Sequence, residues 1–280
     1  MRWTPGGRSD DLEDRRNEGG RIGGVHLGIG GMLILLVLSI LFKRDFFSLV
    51  GGGGSLAPGT SLRQSDPQRD AQEEPTVQFV SFVLDDAQTT WSKLLESRGI
   101  PYQHAKLVLF RDLTSSACGT AQSATGPFYC PADQKVYIDL GFYDELRQRF
   151  GAPGQFAEAY VLTHEIGHHI QNLLGVERRV RALQHENPGA GNALSVRLEL
   201  QADCFAGVWA NSTEQRNLLE SGDVESALGA AAAVGDDRLQ RMSAGRVSPD
   251  SFTHGSSEQR IEWFQTGMRG GTIESCNTFQ

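Results

Sequence analysis

The chain has 280 residues, 39% of them hydrophobic and 21% charged, enough to bury a sizeable core and carry accessory segments besides. Its formal net charge of -8 leaves no clustered Lys and Arg of the kind a phosphate backbone requires, which excludes a nucleic-acid partner.

Residues 1–21 hold five Arg against five acidic residues, with Gly and almost nothing apolar, a composition that predicts a disordered cytoplasmic tail. Residues 22–42 (IGGVHLGIGGMLILLVLSILF) are apolar or Gly except for His26 and Ser39. At ~1.5 Å per residue such a run covers ~30 Å of hydrocarbon, which predicts a single transmembrane helix and is long for a cleaved signal segment. Arg8, Arg15, Arg16 and Arg21 precede it while Lys43 and Arg44 follow, a bias that places the N-terminus inside. The expectation is a single-pass protein, of a bacterial inner membrane, with its main domain in the periplasm or outside. Residues 43–75, rich in Gly, Pro, Gln, Asp and Ser, predict a flexible linker, so that the folded domain occupies residues 76–280.

Within 77–96 (VQFVSFVLDDAQTTWSKLLE) apolar residues recur at helical spacing, and Gly99 and Pro101 close the segment. LVLF (107–110) and KVYIDL (135–140) predict strands. The second of these, over Val136 to Leu140, is the candidate sheet edge along which a peptide could add as a further strand. Four cysteines without a C-x-x-C pair suit disulfides in an oxidising compartment better than a cysteine metal site. Cys118 and Cys130 flank one short Gly-containing segment, which favours that pair among the three connectivities and leaves Cys204 with Cys276. Helical patterns return at 155–174, 192–209, 223–234 and 257–268. The fold class expected is therefore α+β, mainly helical with a small sheet, preceded by one transmembrane helix.

His164-Glu165-Ile166-Gly167-His168 lies inside the 155–174 pattern, where a helix sets the two imidazoles one turn apart on one face. Zinc suits two converging imidazoles, and a three-ligand site keeps a position for water that Glu165 could reach. Tyr160, Val161, Leu162, Ile166, Ile170 and Leu173 make the helix an interior one, where unpaired His and Glu would be costly. His169, adjacent to His168, must point away from the metal face and reads as structural. The third ligand is expected from a second helix: Glu199 and Asp203, at i and i+4 within RLELQADCFAGVWA, share a face. Glu199 can ligate, and Asp203 can stand behind a ligating imidazole and fix its tautomer.

Through CGTAQSATGPFYCPADQKVYIDLGFY, AYVLTHEIGHHIQ and RLELQADCFAGVWA the chain resembles the bacterial neutral zinc metallopeptidase family of the YpfJ-like kind. That resemblance implies a zincin-like fold, with the H-E-x-x-H helix, a glutamate ligand on a later helix and a sheet edge beside the metal. The E-x-x-x-D arrangement is also similar to glutamate-ligand zincins of the membrane CAAX-processing type. Their later H-x-x-x-x-x-R segment has a counterpart in His254 to Arg260, with Gly and Ser where Pro is usual in them. His254 is thereby the candidate donor to the developing oxyanion.

The function expected is a membrane-anchored zinc endopeptidase that cuts peptides or proteins by a Glu165-activated, zinc-bound water. The alternative is a zinc-bearing interaction module without turnover. The acid beside the metal favours the enzyme, since a purely structural zinc site has no use for one.

Overall fold

A computed structural model describes residues 1–18, 66–122, 126–148 and 154–279. Helix α1 (Pro67–Glu96) starts where Asp66 accepts the backbone N–H of Arg69 at 3.1 Å, with Pro67 in the first turn, where a missing N–H costs nothing. The helix thus begins about two and a half turns before Thr76, and part of the expected linker is helix. Phe79, Val83, Ala87, Trp91 and Leu95 of α1 are fully buried, the periodic stripe that the sequence displays.

Six strands follow the chain as β1 (Leu12–Asp14), β2 (Lys106–Phe110), β3 (Leu113–Ser116), β4 (Gly119–Gln122), β5 (Phe128–Cys130) and β6 (Lys135–Asp139). Four form a sheet in the order β1-β2-β6-β5, with the first three parallel and β5 antiparallel to β6. The hairpin β3-β4 stands apart. Leu107, Leu109, Val136 and Ile138 join the main core, while Val108, Phe110 and Tyr137 point the other way and pack with Ala121 of the hairpin. Burial on both faces explains why KVYIDL alternates so weakly. It also corrects the expected edge: β6 is internal, and the edge strand on that side is β5.

The remaining helices are α2 (Gly141–Gln148), α3 (Gln155–Leu173), α4 (Val176–Glu186), α5 (Gly191–Gln215), α6 (Asp223–Ala233), α7 (Asp236–Ala244) and α8 (Ser257–Gly270). The central helix α3 packs against α1, α5 and α6. Where α5 crosses α8 the backbones nearly touch: a Cβ on Gly207 would sit 2.0 Å from the carbonyl oxygen of Phe264, and one on Gly267 would sit 1.9 Å from that of Cys204. A capping box between Ser256 and Gln259 fixes the start of α8. Both disulfides are those favoured by spacing, Cys118–Cys130 and Cys204–Cys276, the latter tying α5 to the turn that follows α8.

Two expectations about the N-terminal region are corrected. The first 18 residues are not a detached tail, because β1 pairs with β2 and the side chains around it are held. Arg16, with 1% of its side chain exposed, grips Asp14 through Nε (2.9 Å) and Nη2 (2.8 Å) and reaches Glu73 of α1 through Nη1 (2.8 Å). The indole of Trp3 meets Phe79 edge-on at 5.3 Å. The membrane expectation falls with the tail: among the described residues no helix is long and apolar enough to cross a bilayer. The apolar run at 22–42 lies outside the described residues. One crossing between residues 19 and 65 would leave β1 and β2 on opposite sides of a membrane, yet they share hydrogen bonds such as Leu107 N–H to Asp11 O at 2.8 Å and Arg15 N–H to Leu109 O at 2.7 Å. The single-pass location is therefore contradicted.

Candidate metal centre

The helix α3 carries His164 and His168 one turn apart, with their rings 4.9 Å between centroids and nearly perpendicular. Gly167 allows α5 to approach, since a Cβ there would lie 2.9 Å from the carbonyl oxygen of Ala202. That approach brings Glu199 to the imidazoles: its Oε2 is 3.2 Å from His164 Nε2 and its Oε1 is 3.5 Å from His168 Nε2. The three groups offer one ligand atom each, all within 4.8 Å of one another.

What lies behind the imidazoles decides their tautomers. His164 Nδ1 is 2.8 Å from Asp203 Oδ1, and His168 Nδ1 is 2.9 Å from Gln171 Oε1. Gln171 is held in that orientation because its Nε2 donates to Leu198 O at 2.6 Å. Both Nδ1 atoms therefore carry a proton, and both Nε2 atoms face the Glu199 carboxylate, placed to give their lone pairs to a metal ion that displaces their own protons. Ligands at ~2.1 Å from a tetrahedral zinc stand about 3.4 Å apart, close to the 3.2 and 3.5 Å that separate the Glu199 oxygens from the two imidazoles.

Asp203 is wholly buried and satisfied on all sides. Arg260 of α8 grips it with Nε (2.8 Å to Oδ2) and Nη2 (2.9 Å to Oδ1), and the Tyr160 hydroxyl donates to Oδ1. Burial alone would push the Asp203 carboxyl up, but Arg260 and His164 hold it below its ordinary value. In the metal-free protein burial disfavours a charged His164, yet Asp203 and Glu199 outweigh it and push the imidazole up to about 10. Glu165 is raised by burial, against the opposing pull of His164 and His168. It lines the same cleft as the triad.

The sequence-derived residues His164, Glu165, His168, Glu199 and Asp203 thus come together. His254 also lines the cleft, with Nδ1 turned to Asp236 Oδ1 at 3.2 Å. Asp236 Oδ2 in turn accepts the backbone N–H groups of Thr253, His254 and Gly255 at 2.7, 2.6 and 3.1 Å, which fixes the loop. His169 points away: Nε2 donates to Gln103 O at 2.6 Å and Nδ1 accepts from Tyr129 at 3.0 Å, and burial lowers its pKa to about 4. Sequence reasoning missed Tyr160, Gln171 and Arg260. Helical spacing marks the first two, four residues before His164 and three after His168. Arg260 closes the same H-x-x-x-x-x-R segment that His254 opens.

The profile of the family described as "Putative neutral zinc metallopeptidase" matches residues 1–279. The chain belongs to that family. It is 48% identical to YpfJ of Escherichia coli over 288 aligned residues, covering 100% of this chain and 99% of the relative. It is 40% identical to Rv2575 of Mycobacterium tuberculosis over 235 residues, 80% of this chain and 77% of the relative. No solved structure matches significantly. Zinc is the metal that the family implies, and the donor set of His164, His168 and Glu199 suits it.

Proposed function

We propose that the chain is a zinc-dependent peptidase that hydrolyses peptide bonds in the cleft holding His164, His168 and Glu199. The observation that carries this reading is Glu165, a buried acid that is raised in pKa, lies next to His164 in the chain and lines the cleft without a place in the ligand set. Bound at the triad, zinc would polarise the scissile carbonyl and make a water acidic near neutral pH.

The residues of the chain do the rest. Asp203 and Gln171 keep the two Nδ1 protons in place and so hold both Nε2 atoms as ligands. Glu165 takes a proton from the attacking water on its carboxylate and delivers it to the leaving nitrogen. His254, oriented by Asp236, is the donor on the cleft wall for the negative oxygen that develops. The free edge of β5, whose Phe128 and Tyr129 line the cleft, offers backbone groups to an extended substrate.

Comparison of the full chain with Glu165→Gln tests this. Equal zinc content with cleavage of a degenerate peptide library abolished in the variant supports the peptidase. Stoichiometric zinc in both proteins, with no peptide cut by either, would instead favour a zinc-bearing interaction module.

A further inference from the structure

Gln171, which accepts the Nδ1 proton of His168, is the first of two buried amides in a row. Its Nε2 carries two N–H groups and both are used: it lies 2.6 Å from Leu198 O and 3.2 Å from Gln201 Oε1. Gln201 in turn donates from Nε2 to Cys276 O at 2.9 Å. Gln171, Gln201 and Cys276 are all buried, so these bonds are shielded from bulk water.

A free amide side chain can turn over and exchange its oxygen for its nitrogen, and a turned Gln171 would offer N–H to His168 Nδ1. A neutral imidazole would then keep its lone pair at Nδ1 and its proton at Nε2, the atom that faces Glu199. Backbone carbonyls forbid this, because they accept and never donate. Cys276 O demands the nitrogen of Gln201, which turns the Gln201 oxygen toward Gln171. That oxygen and Leu198 O together demand the Gln171 nitrogen, which leaves the Gln171 oxygen for His168.

Cys276 closes the short turn Glu274–Cys276 after α8, and two links pin this part of the chain to α5. Its disulfide reaches Cys204, three residues beyond Gln201 and so on the same side of the helix, and Thr278 Oγ1 donates to Arg197 O at 2.7 Å. Arg197 and Cys204 bracket both Glu199 and Gln201. The C-terminal turn therefore lies along the stretch of α5 that carries the carboxylate ligand.

We propose that Gln201 is a positioning residue of the metal centre: with the disulfide-held carbonyl of Cys276 it fixes the Gln171 amide and so keeps Nε2 of His168 as the ligating atom. What a buried charge does for His164 through Asp203, two neutral amides and the C-terminal turn do for His168. The role concerns metal retention alone and stands whether or not the site cuts peptides.

The test is zinc affinity of the full chain, titrated against a competing chelator, with thermal unfolding of the apo form recorded beside it. Gln201→Met keeps the length of the side chain and removes both hydrogen bonds, and it should weaken zinc binding about tenfold. Gln201→Glu, whose buried carboxyl when protonated still donates to Cys276 O and accepts from Gln171, should recover most of that loss. Cys204→Ser with Cys276→Ser should weaken binding as Gln201→Met does, and the three together should cost little more, since both changes act through one relay. Cys118→Ser with Cys130→Ser removes the other disulfide and controls for lost stability, so it should leave zinc affinity unchanged. Unaltered affinity in Gln201→Met overturns the proposal. Equal weakening by Gln201→Met and Gln201→Glu does so too, by tracing the effect to packing. Should Gln201→Met fail to fold, equal zinc affinity in the two cysteine pairs overturns it instead. An unmodified chain that retains no zinc would remove the metal centre, and this support with it.

Discussion

Asp203 Oδ1 lies 2.8 Å from His164 Nδ1, and the same carboxylate is clasped by Arg260, so one buried acid joins the metal face of α3 to α8. The sequence pair Glu199 and Asp203 is thereby split into two tasks: the first faces the metal position, and the second faces away from it and holds an imidazole and a guanidinium at once.

Asp203→Asn should weaken zinc retention by about 10- to 100-fold, because the amide no longer anchors the Nδ1 proton as a carboxylate does. It should also cost about 3 to 5 kcal/mol of stability by leaving the Arg260 charge buried without a counterion. Combining it with Arg260→Gln should restore part of the stability and none of the metal affinity. Thermal unfolding of the apo forms and zinc titration with a competing chelator separate the two effects. Glu199→Ala serves as the reference for zinc retention, which should be lost.

Gly267→Ala would ordinarily favour a helix by about 1 kcal/mol. Here the added methyl would meet the carbonyl oxygen of Cys204 at 1.9 Å, and backbone cannot turn aside as a side chain can. The substitution should destabilise the protein by about 3 kcal/mol, lowering Tm by roughly 10 °C in calorimetry. An unchanged Tm would show that α5 and α8 do not cross this closely.

The acid dependence of stability should reside in part at the N-terminal strand. Glu73 is opposed by burial but held below its ordinary pKa by Arg111 and Arg16, and Asp14 likewise by Arg16. A carboxyl with a depressed folded pKa contributes stability that is fully present above its unfolded value, near pH ~4, and lost as pH falls through the folded one. Stability of the native chain should therefore fall steeply below about pH 4, and Glu73→Gln should be less stable at neutral pH yet show a shallower acid limb. Denaturant melts at a series of pH values measure both.

The strongest sequence signals were those that local geometry writes into spacing. His164 with His168, and Glu199 with Asp203, sit at i and i+4, an interval that a helix converts into a shared face whatever surrounds it. The five helices expected from periodicity are all present, although α1 and α5 run longer than their apolar stripes. Three further helices, α2, α4 and α7, escape the sequence pattern; each is only 8 to 11 residues long, largely polar, and buries two residues or fewer among those described, so few apolar residues are there to mark it. Residues 1–18 were misread for a related reason. Counting charges in Leu12-Glu13-Asp14-Arg15-Arg16 predicts disorder, because composition records how many charges there are and not that Lys135, Glu73 and Arg8 await them across the fold.

Spacing along the chain therefore determined which side chains share a helix face, the zinc-suited donor set and the favoured disulfide pairs. Only the tertiary structure decided that β5 and not β6 is the free edge, that Arg260 closes on Asp203 from 57 residues away, and that the N-terminal strand lies in the sheet rather than across a membrane. Helical neighbours are set by a rotation of about 100° per residue, which any sequence displays. Strand order and buried ion pairs depend on which surfaces meet, and those surfaces come from residues far apart in the chain.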